Sequence, residues 1–279
     1  MLGYTPDGPH RVAYLEWGPP DAPRTAVCVH GLTGCARDFD ALAESLAPAG
    51  WRLICPDLVG RGDSDRLADP RGYELRQYAA DMAALVEHLG AAEVDWIGTS
   101  LGGLIGLTLA AHEQTRIRAL VLNDIGPFIP TEALQRLAGD LGTDPIFSDL
   151  DAAEAYVRLI RSPFGALTDS QWREMAERST RPDGSGYRLH YDPAIAIRFV
   201  ETSGRNADLW KLWDAVRSRV LVLRGAASDL LLADTAAQMT TRGPGSEIIE
   251  FAGCGHHPPL LEPDQIDPVV AWLEADPAA

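Results

Sequence analysis

Through the first half of the chain, short unbroken apolar runs alternate with stretches whose apolar positions recur every three or four residues. RVAYLEWG (11–18) and TAVCVHG (25–31) stop at glycine, as strands do, and WRLICPDL (51–58), EVDWIG (93–98) and IRALVLND (117–124) read the same way. Between them, 38–47 looks helical, and 74–89 is the clearest helix. Leu75, Tyr78, Met82, Leu85, Val86 and Leu89 share one face, and Gly90 closes it. LGGLIGLTLAAH (101–112) predicts a mostly apolar helix. Strands that are apolar throughout and separated by helices imply a parallel sheet covered on both faces.

The rhythm breaks at Gly126-Pro127. Three amphipathic helical pieces follow (131–138, 151–160 and 169–179), with Pro and Gly as punctuation in RPDGSG (181–186) and no strand that the pattern supports. The alternation resumes with a strand at 219–225, a helix near 233–240, a strand at 246–253 and a last helix from about 263 to 274. The expected organisation is an α/β core of residues 1–125 and 207–279, interrupted by a helical insertion at 126–206.

Composition narrows the partners. Forty acidic against 24 basic residues give a formal charge of −16, which repels nucleic acid and anionic lipid. No apolar run approaches the ~18 residues a bilayer span needs. The N-terminal stretch MLGYTPDGPHR lacks a basic region followed by an apolar one, so a cytoplasmic protein is expected. Cys28, Cys35, Cys55 and Cys254 form no CxxC pair, which predicts reduced thiols and no metal site. A small-molecule substrate is the expected partner, with a homodimer as one expected assembly.

Chemistry concentrates at three loops. Gly98-Thr99-Ser100-Leu101-Gly102 is a G-x-S-x-G pattern between a predicted strand and a predicted helix. A sharp turn there lifts the serine oxygen above the sheet edge, at a helix N-terminus whose unpaired N–H groups favour developing negative charge. A nucleophilic serine needs a base, and the base needs an orienting acid. Asp229 follows RVLVLRG, and His256 and His257 follow SEIIEFAG, both at strand ends. Adjacent histidines cannot both point at one spot, and the residues alone do not choose between them. An acyl-transfer site also needs two backbone donors for its oxyanion. Leu101, next to the serine, supplies one, and the early loop His30-Gly31-Leu32-Thr33-Gly34 supplies the other through Leu32. His30 is read as the brace of that loop.

HG-x-x-G (30–34), DLVGRGDSD (57–65), GTSLGG (98–103), LVLNDIGP (120–127), LRGAASDLL (223–231) and GCGHHPPLLEP (253–263) together resemble the α/β-hydrolase fold superfamily, in its serine-nucleophile, esterase-like branch. The resemblance implies a mostly parallel eight-stranded sheet with helices on both faces and a helical cap inserted after the sixth strand. In similar chains the catalytic histidine follows Gly and precedes x-Pro, so His256 takes the base role and His257 becomes a pocket neighbour. Some members place the acid where Asp124 stands. Asp229 better matches the common position and is the expected acid.

With serine at the elbow, the relatives that open epoxides or displace halide through an aspartate are set aside. Hydrolysis of a small carboxylic ester, thioester or lactone through an acyl-enzyme on Ser100 leads, with no metal or organic cofactor. Carbon–carbon or amide hydrolysis by the same triad is the enzymatic alternative, and a non-catalytic ligand-binding protein on this fold is the other. His257, Phe128, Trp210 and Tyr191 are the expected substrate contacts. Arg158, Arg161, Arg188 and Arg198 are the insertion's unassigned cations.

Overall fold

The computed structural model describes residues 1–275. A hairpin of β1 (Leu2–Thr5) and β2 (Gly8–Arg11) leads to β3 (Tyr14–Trp17), β4 (Arg24–Val29), α1 (Asp40–Leu46) and β5 (Trp51–Pro56). Next come α2 (Leu75–His88), β6 (Val94–Thr99), α3 (Leu101–Ala110) and β7 (Ile117–Asn123). The inserted stretch holds β8 (Phe128–Ile129), α4 (Thr131–Asp140), β9 (Ile146–Phe147), α5 (Leu150–Ile160) and α6 (Asp169–Ser179). It continues through β10 (Thr180–Asp183), β11 (Gly186–Leu189) and α7 (Ile195–Thr202), and β12 (Ala207–Asp208) and α8 (Trp210–Ala215) follow it. The chain ends with β13 (Arg219–Gly225), α9 (Ala233–Met239), β14 (Glu247–Phe251) and α10 (Pro263–Glu274).

Seven strands form the central sheet in the order β14-β13-β7-β6-β4-β5-β3. All neighbours run parallel except β3, which lies antiparallel on β5 at the edge. The expected eighth strand is absent from this sheet, because β1 and β2 pair only with each other. The run expected as one strand over 11–18 is broken at Val12 and Ala13, between that hairpin and β3.

Alternate residues of each central strand enter opposite halves of the core, as the two-residue period of a strand requires. In β4, Val27 and Val29 join a cluster with Met82 and Leu85 of α2 and Ile105 of α3. Ala26 and Cys28 join the other, with Leu42 and Leu46 of α1 and Val269 and Leu273 of α10. Covering both faces is why these strands are apolar throughout. The carboxyl ends of β6, β7, β13 and β14 then open side by side at one edge of the sheet.

In the inserted stretch the three predicted helices form as α4, α5 and α6. A small sheet in the order β10-β11-β9 also forms, where no strand was expected. RPDGSG, read as punctuation, is the turn of its hairpin, with Gly184 at φ +61° and Thr180 paired to Leu189. The stretch is clipped at its base, where β12 pairs antiparallel with β8.

Candidate active site

Ser100 stands between β6 and α3 with φ 50° and ψ −111°, a left-handed conformation that a non-glycine residue adopts only under local constraint. The surrounding backbone over-determines it. The Ser100 N–H donates to the Asn123 carbonyl at 3.0 Å, and the Ser100 carbonyl accepts from Gly103 and Leu104. The flanking glycines are obligatory: a Cβ on Gly98 would stand 2.4 Å from Gly102 and Gly103 backbone, and one on Gly102 would stand 1.9 Å from the Val29 oxygen.

His256 lies in the loop after β14, with Nε2 3.1 Å from Ser100 Oγ and Nδ1 2.8 Å from Asp124 Oδ2. A carboxylate only accepts, so Nδ1 carries the proton and Nε2 is free to accept from the serine hydroxyl. Asp124 follows β7 with φ +55° and is fully buried. Its Oδ1 accepts from Gly225 N–H at 2.9 Å. Its Oδ2 also accepts from the Ser228 hydroxyl at 2.6 Å and from His257 N–H at 3.2 Å. Four donors hold a charge that burial would otherwise penalise.

This geometry corrects the expected acid. Asp229 is half-exposed and makes a two-pronged ion pair with Arg136 of α4, at 2.6 and 2.7 Å. Partial burial pushes its carboxyl up, but the Arg136 guanidinium outweighs that and holds it below the usual range. The turn after β13 presents Ser228, not Asp229, to the catalytic cluster, and Ser228 donates to Asp124. The structure therefore brings Ser100, His256 and Asp124 together.

His30 is buried, with Nδ1 donating to the Gly31 carbonyl at 2.7 Å and Nε2 accepting from Leu58 N–H at 3.0 Å. Burial pushes its pKa down to about 3, so it stays neutral and fastens the Leu32 loop to the end of β5. Buried Arg61, from the DLVGRGDSD segment, donates Nε to the Leu32 carbonyl at 2.9 Å. The Leu32 and Leu101 amides have no backbone partner among the described residues.

A cavity of about 150 Å³ opens above Ser100, walled by Leu32 and His256 from below and by Leu137, Val157, Ile160 and Leu189 from the inserted stretch. Of the expected substrate contacts, His257 and Tyr191 line it. His257 packs on Phe164, with ring centroids 4.1 Å apart. Burial and the neighbouring His256 hold its pKa well below the ordinary value. Burial pushes the Tyr191 phenol up to about 12.

Phe128 and Trp210 are outside the cavity wall, which corrects their expected role. Phe128 belongs to the β8–β12 clip, and Trp210 packs under the Arg242 guanidinium, 4.3 Å from ring centre to Cζ. Of the four unassigned arginines only Arg161 reaches the cavity. Arg158, Arg188 and Arg198 are taken up by acids elsewhere. Sequence reasoning missed Asn123 and Ser228, and the short segment 161–164 that leans on the histidine loop through Gly255 N–H to the Pro163 carbonyl at 2.7 Å. None of the helices among the described residues is long and apolar enough to cross a membrane.

The family profile described as alpha/beta hydrolase fold matches residues 27–263, and the chain belongs to that family of hydrolases. It is similar to the 3-hydroxybutyrate-oligomer hydrolase of Cupriavidus necator, 42% identical over 94% of this chain and 92% of that protein. It is also similar to the 2-(acetamidomethylene)succinate hydrolase of Mesorhizobium japonicum, 30% identical over 84% of this chain and 82% of that one. Among solved structures, an alpha/beta hydrolase from Novosphingobium aromaticivorans superposes with a TM-score of 0.89 at 36% identity, covering 98% of this chain and 97% of that one.

Proposed function

We propose that this protein is a serine hydrolase of carboxylic esters whose substrates are short oligomers of a 3-hydroxy acid. The observation that carries the chemistry is the unbroken chain from Ser100 Oγ through His256 to buried Asp124, at the floor of a largely apolar cavity. The 42% identity over nearly the full length to a 3-hydroxybutyrate-oligomer hydrolase supports the substrate class.

His256 Nε2 takes the hydroxyl proton as Ser100 Oγ bonds to the ester carbonyl carbon. The carbonyl oxygen becomes an oxyanion held by the Leu32 and Leu101 N–H groups, each such donor being worth ~3 kcal/mol of barrier. The carbon–oxygen bond to the alcohol then breaks, and His256 passes its proton to the leaving oxygen. Water, deprotonated by the same histidine, adds to the acyl carbon and releases Ser100. Asp124 fixes the Nδ1–H tautomer and stabilises the imidazolium. The inserted stretch roofs the site and sets which acyl and alcohol groups fit.

The test is hydrolysis of 3-hydroxybutyrate dimer and trimer, beside p-nitrophenyl butyrate, by wild type and Ser100→Ala. The expected result is multiple turnover on the oligomers that Ser100→Ala loses by at least about 10³-fold, with its thermal unfolding unchanged. Retained turnover in the variant would remove the serine mechanism. Cleavage of p-nitrophenyl butyrate alone would remove the substrate class.

A further inference from the structure

Arg161 follows α5 and is 8% exposed, yet it lines the cavity with Ser100 and His256. Its guanidinium makes one hydrogen bond among the described residues, from Nη2 to the Thr33 carbonyl at 3.3 Å, and no carboxylate among them lies within ion-pair distance of it. The other two arginines of the cavity wall are matched: Arg136 by Asp229, and Arg178 by Glu174 at 3.2 Å and Asp40 at 3.8 Å. Asp38 faces the same cavity and accepts from Cys35 N–H at 3.2 Å; burial pushes its carboxyl up and the Arg161 charge draws it down, but the two side chains form no hydrogen bond or close ion pair. Arg161 is thus a buried guanidinium with most of its donors unpaired, at the wall of the cavity above Ser100. A planar fork of N–H donors in that setting is built for a carboxylate.

Its neighbours say which half of the substrate it meets. The guanidinium lies 5.7 Å from the Phe164 ring centre, and Phe164 packs on His257 beside His256. The leaving oxygen has to come within reach of His256 Nε2, so the departing half of the substrate runs along this wall. In a 3-hydroxy acid ester, the free carboxyl carbon stands three bonds beyond the leaving oxygen. Resting on the ester-hydrolase reading above, we propose that Arg161 binds the free carboxylate of the leaving hydroxy-acid unit, so that the enzyme releases monomers from the carboxyl end of the oligomer. Arg161 is then the residue that separates hydroxy-acid oligomers from neutral esters.

The experiment compares the 3-hydroxybutyrate dimer as free acid with the same dimer capped as its primary carboxamide, following cleavage of the internal ester by chromatography. Wild type is expected to favour the free acid in kcat/KM by about 30-fold or more, through KM as well as kcat. Arg161→Gln should collapse that ratio toward one, and Arg161→Lys should keep part of it. Since Arg161 also touches the oxyanion loop, the ratio is the readout, not the rate. Equal losses on both substrates, or a ratio that survives in Arg161→Gln, would overturn the proposal. So would a wild-type ratio near one, which leaves the ester-hydrolase reading standing. A wild type that cleaves p-nitrophenyl butyrate but neither dimer would overturn the substrate class and this inference together. Should Arg161→Gln not fold, the partial ratio of Arg161→Lys carries the same decision.

Discussion

Replacing Asp124 by asparagine keeps the side chain's shape but turns an acceptor into a donor facing His256 Nδ1. The imidazole would then carry its proton on Nε2, where it cannot accept from Ser100. Asp124→Asn is expected to lower kcat by about 10⁴-fold with little change in KM. Asp229→Asn should stay within about threefold, because it only weakens a half-exposed ion pair with Arg136. Comparable damage from both would undo the assignment of the acid. The same pair shows where the site was legible. Ser100 stands in a motif whose local backbone fixes what it does, and the family's G-H-x-P pattern separates His256 from His257. The acid does not: β7 and β13 are neighbours, so Asp124 and Asp229 both follow strands that end side by side. The φ of +55° at Asp124, and the single-residue offset that puts Ser228 rather than Asp229 against it, decide the matter. No spacing in the letters reports either.

At the scale of elements, the helix α3 must start hard against the sheet for the serine to stand where it does. Gly102 makes that approach possible. In an exposed helix, alanine is better than glycine by up to about 1 kcal/mol, so a Gly→Ala change there should stabilise. At Gly102 the new Cβ would overlap the Val29 oxygen at 1.9 Å, and backbone cannot step aside cheaply. Gly102→Ala is expected to cost about 4 kcal/mol or more. Gly139, near the end of α4 with open space around it, should gain a few tenths of a kcal/mol from the same change. Urea midpoints of the two variants give the comparison, and a Gly102→Ala midpoint at or above wild type would mean the contact is not tight. Elements were legible in proportion to their burial. Strands covered on both faces announced themselves as apolar runs, and α2 as one apolar face. The hairpin β10–β11 carries Arg181, Pro182 and Asp183 in one short strand, and its pairing with β9 comes from distant chain that no local pattern records.

For the whole molecule, the central sheet closes with seven strands and not eight because the first hairpin folds on itself, an alternative the alternation of runs could not distinguish. What the sheet buries at its working edge also sets how the protein responds to acid. His30 is neutral when folded, with a pKa of about 3, and would titrate near its ordinary 6.5 when unfolded. Between those values the unfolded chain binds a proton that the folded protein refuses, so stability rises with pH through the window and is lost as pH falls below about 6.5. His257, held low by burial and by His256, acts in the same direction. The slope from one such group is at most about 1.4 kcal/mol per pH unit. His30→Gln keeps an acceptor for the Leu58 amide but cannot titrate. Its unfolding free energy should start lower at pH 7, then fall less between pH 7 and pH 5 than that of wild type, by about 2 kcal/mol. Charges common to both proteins, including the repulsion within a net −16, cancel in that difference. Parallel curves for the two proteins would show that His30 is solvated or mobile enough to protonate in place, and that the loop carrying Leu32 is not the rigid oxyanion wall the mechanism needs.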